Sequence, residues 1–352
     1  MRWYSIGLVS TLGAVIAVSF VALPVSAQTS AAPMPPATKL HWNLPMRTLG
    51  GKQFWTDHFI YQGWRIQQNV VTDHYRLLDP RNDRRAWGTW QQCYASWKTL
   101  KPTQSLPALK PRLVIFVHGL IRSRGSMEGI AHYVQQHGDY GTLCFSYAST
   151  RAEVRDHAKA LRDVVSHLEG VQEIDFVAHS LGNIVIRHFL KDEMDAAADH
   201  RIDPRIKRIV MLAPPNNGAQ LAERMKKNPA FKLVFGVSGA QLADGWSRLA
   251  DHLAIPPCEF GIIAGESDSW FGTNPLLEGK DDFVVRVAET RLPGARDFLV
   301  VFGLHSFIMD QEIVRESTLR FLEHGYFRTA EKRTPIPAPA DGAATKRAGD
   351  HG

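Results

Sequence analysis

Ser180 lies in Ala178-His179-Ser180-Leu181-Gly182, directly after the apolar run Ile174 to Ala178 and directly before a helical pattern. A serine hydroxyl is a weak nucleophile unless a base takes its proton as it attacks. A sharp strand-to-helix turn serves that chemistry. It exposes the hydroxyl at the end of a sheet, and it aims the first helical N–H groups, that of Leu181 included, at a developing oxyanion. Small residues at 178 and 182 let strand and helix approach. A second piece is Val117-His118-Gly119-Leu120, which follows another apolar run. Gly119 allows a tight turn that leaves the Leu120 N–H free as the other oxyanion donor. The third piece is His305 in Gly303-Leu304-His305-Ser306-Phe307. Among 15 histidines, its place after the last apolar run singles it out as the base. The base needs a carboxylate to orient it and to support its positive charge. Asp282, just ahead of Phe283-Val284-Val285, is best placed for this. Asp281, Asp268 and Glu266 are the competitors, Asp268 because it closely follows the run Phe260 to Ala264.

The elements that must hold these groups are legible from the same rows. Apolar runs at Arg112–Val117, Leu143–Ala148, Ile174–Ala178, Ile209–Ala213, Phe260–Ala264 and Phe298–Phe302 read as strands. Helical patterns at Met127–Gln136, Val154–Leu168, Ile184–Met194 and Gln311–His324 alternate with them. Strands that are apolar throughout need cover on both faces, which parallel sheets with crossover helices provide. The expected fold class is therefore α/β, a doubly wound, mainly parallel sheet. Residues 216–257 are long for a connection between strands. Phe231, Leu233, Val234, Phe235, Leu242 and Trp246 suggest a short helical cap lining an acyl pocket. Arg122 and Arg124 follow the oxyanion loop and could meet an acidic headgroup or phosphate.

These pieces together resemble the α/β-hydrolases, in particular secreted bacterial lipases and esterases and the lipase-like domain of GPI inositol-deacylases. The matching stretches are VHGL at 117–120, AHSLGN at 178–183, APPNNGA at 213–219, DDFVV at 281–285 and GLHSF at 303–307. The likeness spans about residues 110–325. It implies Ser180 as nucleophile, His305 as base, Asp282 as acid, and Leu120 and Leu181 as backbone oxyanion donors. Chain order Ser, acid, His agrees with that fold. Ala178 departs from the commonest pattern in a way small bacterial lipases share. APPNNGA stands where many lipases carry a Pro-His-x-Gly turn, so the substrate class is left open. The activity implied is hydrolysis of carboxylic esters, lipid-like in character, through an acyl-enzyme. An acyltransferase with the same triad and a non-catalytic binding protein on this scaffold are the alternatives.

The remainder of the 352 residues sets the context. Residues 40–110 lie outside the resemblance and are rich in Trp, Tyr, Gln and Arg. Phe59 to Leu78 suggests antiparallel strands turning near Asn69, an N-terminal antiparallel extension of the sheet. An aromatic carbohydrate-binding module is the sharper reading. Arg2 precedes an uncharged stretch ending Val25-Ser26-Ala27, which reads as a signal peptide cleaved after Ala27. An uncleaved N-terminal membrane anchor is the alternative, and the implied location is exported, periplasmic or secreted. Residues 28–39 read as a linker, 111–328 as the catalytic domain and 329–352 as a disordered tail. Charge is interleaved, at +6 overall, so no nucleic-acid stripe is expected. The implied partner is a small-molecule or lipid ester, with peripheral membrane contact open. No H-E-x-x-H, Cys/His metal spacing, phosphate loop or dinucleotide fingerprint occurs, so no cofactor or metal is expected. Cys93 and Cys258 could pair in an exported protein, while Cys144 reads as core.

Overall fold

The computed structural model describes residues 46–47, 53–225, 229–243, 245–267, 277 and 279–338, with the backbone alone described at 46–47, 225 and 229–234. The stretches read as a signal peptide at 1–27 and a linker at 28–39, together with Asp268, lie outside the described residues. In chain order the elements are β1 (Met46–Arg47), β2 (Trp55–Tyr61), β3 (Trp64–Asn69), β4 (Tyr75–Leu78), β5 (Asp83–Gly88) and α1 (Trp90–Leu100). Then come β6 (Arg112–Val117), α2 (Glu128–His137), β7 (Gly141–Phe145), α3 (Val154–Ser166), β8 (Glu173–His179), α4 (Leu181–Ala196) and β9 (Ile206–Leu212). The chain continues with α5 (Gln220–Met225), α6 (Pro229–Ala243), α7 (Trp246–Ala250), β10 (Glu259–Glu266), α8 (Val287–Thr290), β11 (Asp297–Phe302) and α9 (Glu312–His324).

All six expected apolar runs pair in one parallel sheet, in the order β11-β10-β9-β8-β6-β7. Each face carries its own core. Ile115, Phe176, Met211 and Ile262 point to the side covered by α3 and α4. Val114, Val177, Val210 and Ile263 point to the side covered by α2 and α9. Two-sided burial explains why these strands lack polar alternation. After β6 the chain runs outward to edge strand β7 and returns to β8 on the other side of β6. That reversal opens a crevice at the carboxyl ends of β6 and β8, where ligands of open α/β sheets bind.

The N-terminal antiparallel part forms a five-stranded sheet of its own, in the order β1-β5-β4-β3-β2. It does not join the ladder of the parallel sheet. A single backbone bond, from the Asp57 N–H to the Ser146 carbonyl at 2.8 Å, meets the chain just beyond β7. Asn69 makes the β3–β4 turn as expected, its side-chain oxygen accepting the N–H groups of Val71 and Thr72. Trp64 and Trp97 are buried with Phe59 and Tyr61 in one aromatic cluster that seats α1 on this sheet. Those rings serve as core, which leaves them no role as an exposed sugar-stacking platform.

Two further expectations meet a different outcome. Residues 329–338, read as the start of a disordered tail, lie along the chain leading into β11. The Ile336 N–H donates to the Ala295 carbonyl and its own carbonyl accepts the Gly294 N–H, both at 2.9 Å. Cys93, Cys144 and Cys258 are all free, so Cys93 and Cys258 do not pair here. Burial pushes each of the three thiols up to about 12, which makes them inert as nucleophiles at neutral pH. Among the described residues no helix is long and apolar enough to cross a membrane.

Candidate active site

β8 ends at His179, and α4 begins at Leu181, leaving Ser180 alone in the turn. Its backbone is at φ 51° and ψ −122°, a conformation that L-residues adopt only when their surroundings enforce it. The Ser180 N–H is held by the Leu212 carbonyl of β9 at 2.9 Å. Buried Asn183 donates its side-chain amide to the Ser180 carbonyl at 3.1 Å. Gly182 is required by packing, since a Cβ there would stand 2.6 Å from the Val117 carbonyl oxygen. Gly119 is required for the same reason from the other side. A Cβ there would come within 2.7 Å of His179 Nδ1 and 3.1 Å of Ser180 Cβ. The loop after β6 thus presses directly against the turn that carries Ser180. None of the described hydrogen bonds engages the Leu120 N–H.

His305 and Asp282 meet across 23 residues of chain. His305 Nδ1 lies 2.7 Å from Asp282 Oδ2, and the His305 N–H donates to the Asp282 carbonyl at 3.0 Å. Both residues are buried. Asp282 Oδ1 accepts the Val284 N–H at 3.1 Å and the Val285 N–H at 2.7 Å. This set of donors suits an ionised carboxylate and leaves His305 Nδ1 as the N–H donor, with Nε2 free for a hydroxyl proton. Gly265 makes room for Asp282, whose Cβ would stand 2.9 Å from a Cβ at that position. Two of the rival acids make other contacts. Asp281 turns its Oδ1 to the Phe283 N–H at 2.8 Å, and Glu266 pairs with Lys280 at 2.7 Å.

Ser180, His305 and His179 share a cavity of about 350 Å³ whose other walls are mostly apolar, among them Leu120, Leu221, Phe235, Leu242 and Val285. Phe235 and Leu242 come from the expected cap, which consists of α5, α6 and α7. Trp246 instead packs against Gly218, and the side chains of Phe231, Leu233 and Val234 lie outside the described residues. Gly236 breaks α6 at φ 62°, because a Cβ there would overlap the Thr150 carbonyl that receives the Val237 N–H. Arg122 lines the cavity and donates to the Ser306 carbonyl at 2.7 Å, with its buried Nε left unpartnered. Arg124 is taken up by Glu128 at 3.0 Å.

This is an α/β-hydrolase fold. The turn at Ser180, the pressing loop at Gly119 and the chain order Ser180, Asp282, His305 all fit its architecture. Residues 82–246 match the family model DUF7379, described as a domain of unknown function. That span holds Leu120 and Ser180 but stops short of Asp282 and His305. No curated protein sequence matches the chain. Among solved structures, the mature lipase BlEst2 of Bacillus licheniformis is similar over 62% of this chain and 92% of its own, at 19% identity and TM-score 0.45. Phospholipase PlaB of Legionella pneumophila is similar over 51% of this chain and 45% of its own, at 19% identity and TM-score 0.40. Est1E of Butyrivibrio proteoclasticus is similar over 76% and 96%, at 13% identity and TM-score 0.41.

Three supporting histidines were not given roles by the sequence. His179 Nε2 donates to the His305 carbonyl at 2.9 Å, which ties the loop of His305 to the end of β8. Burial first, and the neighbouring His305 second, hold His179 well below the ordinary imidazole range. It therefore stays neutral near pH 7. His118 stacks on Tyr147 at 4.2 Å, lies 2.8 Å from the Gly119 carbonyl through Nδ1, and is pushed down to about 4 by burial. His157 lies behind Tyr147 and is pushed down to about 3, again chiefly by burial.

These shifts have a sign. As pH falls below about 6.5 the unfolded chain takes up protons that the folded chain refuses, so the folded state loses stability toward acid. For His118 the full loss is about 3 kcal/mol, reached near pH 4. Asp175, raised by burial to about 7, acts oppositely, because the folded state protonates it first as pH falls. The expected result is therefore a difference. His118→Asn, whose amide can still donate to the Gly119 carbonyl, should lose less thermal midpoint than wild type between pH 7.5 and 4.5. Parallel slopes for the two proteins would remove His118 from the account.

Proposed function

We propose that the protein is an exported serine hydrolase that cleaves carboxylic esters with apolar, lipid-like acyl groups. The observation that carries this is the Asp282–His305 hydrogen bond at 2.7 Å beside Ser180 in one largely apolar cavity. Ser180 Oγ attacks the ester carbonyl while His305 Nε2 takes its proton. The N–H groups of Leu120 and Leu181 stabilise the oxyanion of the tetrahedral intermediate. His305 then gives that proton to the leaving alcohol, and the acyl group stays on Ser180. Water enters, His305 takes its proton, and the acid departs with Ser180 restored. Asp282 holds the imidazole in the tautomer that has Nε2 free.

Two exposed rings support a lipid-like substrate and contact with a lipid surface. Phe302 is 70% exposed and Phe307 55%, and they flank His305 in sequence on either side. Phe307 also lies 5.8 Å from the guanidinium of Arg122, a residue that lines the cavity, and exposed rings gain when they enter an acyl layer. Phe302→Ser with Phe307→Ser should leave hydrolysis of dissolved p-nitrophenyl butyrate unchanged. Turnover of an emulsified long-chain ester should fall about tenfold, since an exposed Phe gains roughly 1.5–3 kcal/mol on burial. Equal effects on both substrates would remove the surface role.

The direct test is a series of p-nitrophenyl esters from acetyl to palmitoyl, run with and without an acceptor alcohol. Release of free acid with a preference beyond acetyl is the expected result. Transfer of the acyl group to the alcohol in preference to water would point to an acyltransferase. A folded protein that turns over no ester and leaves Ser180 unlabelled by a fluorophosphonate would overturn the proposal.

A further inference from the structure

The two arginines that follow β6 meet different surroundings. Arg124 pairs with Glu128, whereas Arg122 has no carboxylate partner among the described residues. The guanidinium of Arg122 meets the Ser306 carbonyl, 2.7 Å from Nη2, and the Phe307 ring, 5.8 Å from its central carbon. Nε is enclosed, but Nη1 is not, and it has no described hydrogen bond. The backbone places this side chain beside the reacting groups. The Arg122 N–H donates to the Gly119 carbonyl at 3.2 Å, and Gly119 packs against Ser180. At its far end the guanidinium holds the residue next to His305. Arg122 therefore bridges the loop beside Ser180 and the loop that carries His305.

Among the described residues that line the cavity of Ser180, Arg122 is the only one besides the two histidines whose side chain can carry a positive charge, and none is acidic. A guanidinium is charged at every pH at which the protein folds. Holding that charge against largely apolar walls is costly, and one carbonyl returns only part of the cost. A tie to Ser306 alone needs an N–H and no charge. The charge is felt at the site. Burial lowers His179 and His118 most, and the Arg122 charge adds to the effect in both. The cap residues Leu221, Phe235 and Leu242 suit an acyl chain. Arg122 instead keeps exposed neighbours, Ile121 at 42% and Phe307 at 55%. A charged part of a substrate belongs there, in reach of water, and the leaving alcohol must also depart to water.

We propose that Arg122 is a specificity-determining residue that selects esters whose alcohol part carries an anionic oxyacid group, a phosphate or a carboxylate. This names the substrate class of the hydrolase proposed above and rests on that reading. Nη1 donates a charge-assisted hydrogen bond to the anion, while Nη2 keeps the Ser306 carbonyl. The acyl group lies against the apolar walls, so one molecule meets both needs of the cavity. A neutral ester of the same length leaves the guanidinium without a counter-ion.

Ethers that cannot be hydrolysed test this by calorimetric titration of the full chain at neutral pH. The probes are 1-O-hexylglycerol 3-phosphate, hexyloxyacetate and neutral 1-O-hexylglycerol. At least one anionic ether should bind about tenfold or more tightly than the neutral one, the scale of one hydrogen bond to a charged group. The phosphate ahead assigns glycerophosphate-type esters, and the carboxylate ahead assigns hydroxy-acid esters. The bound ether should slow labelling of Ser180 by a fluorophosphonate, which places it in this cavity. Arg122→Gln should erase the preference, and Arg122→Lys, which keeps the charge, should retain most of it. Thermal midpoints show whether both variants keep the fold. In wild type, kcat/KM for 1,2-dihexanoylglycerol 3-phosphate or for butyryloxyacetate should exceed that of 1,2-dihexanoylglycerol by a similar factor. The inference is overturned if the neutral ether binds as tightly as both anionic ones, or if folded Arg122→Gln keeps the preference. Turnover of all these esters without preference would overturn it too, and would leave the hydrolase reading intact. Preferential binding with no ester turned over would support the anion site and sink the hydrolase reading instead.

Discussion

Ser180→Ala should lower ester turnover by a factor of about a million, the scale seen when the nucleophile of such a triad is removed. Fold stability should stay within about 0.5 kcal/mol of wild type. The two halves of that expectation have separate physical grounds. The strain at φ 51° belongs to the backbone, and its supports are the Leu212 carbonyl and the Asn183 side chain. No described hydrogen bond uses the Ser180 hydroxyl, and alanine keeps the Cβ that packs near Gly119. The variant therefore loses the reacting atom and little else. Turnover and thermal midpoint measured on one preparation give the check. A dead variant with an unchanged midpoint assigns the chemistry to Ser180. A variant that keeps even a hundredth of the rate would move the nucleophile elsewhere.

The parallel sheet and the residues around its crevice were legible because each signal was local. Val114 to Val117 is fully buried on both faces, and a continuous apolar run is what two-sided burial demands. Ser180 was legible because its turn sits between a continuous apolar run and a 3.6-residue period. The N-terminal sheet was harder because its strands bury polar groups. Asp57, Gln67 and Arg76 form one enclosed network, with Gln67 donating to Asp57 at 2.7 Å and Arg76 Nη2 donating to Gln67 at 2.7 Å. Each residue alone reads as exposed, and only their mutual satisfaction makes burial affordable.

The roles of His179 and Asn183 escaped for a different reason. His179 reaches His305 across 126 positions of chain, and no periodicity encodes that distance. Asn183 looks like an ordinary residue of the first turn of a helix until its amide is seen holding the Ser180 carbonyl. The segment 334–336 escaped because its prolines and small residues look like a tail. Its anchors are backbone bonds to Gly294 and Ala295 and the Thr334 N–H bond to Asp297 Oδ1 at 2.9 Å, and pairings across some 37 positions of chain leave no mark on local residue patterns. What the sequence carries well is the strand-to-helix turn at Ser180. What it carries poorly is the frame that holds that turn in place.

The choice among Asp282, Asp281 and Asp268 rests on that frame and has a decisive test. Asp282→Asn should lower turnover by about ten thousandfold while keeping the fold, as the same change does in a serine protease triad. The reason lies in the two oxygens of Asp282. Oδ1 accepts the Val284 and Val285 N–H groups, and Oδ2 faces His305 Nδ1. An asparagine must keep its oxygen toward those two N–H groups, so its NH₂ faces His305. The ring then has to accept at Nδ1 and carry its proton on Nε2, where it cannot take the proton of Ser180. Asp281→Asn alters only the residue whose Oδ1 caps the Phe283 N–H, and its effect should stay below about tenfold. Imidazole ¹⁵N shifts of His305 give a readout that a merely structural role would not move, because they report which nitrogen bears the proton. Loss of turnover in Asp282→Asn with the His305 tautomer unchanged would mean that Asp282 serves the loop and not the base, and would return Asp268 to consideration.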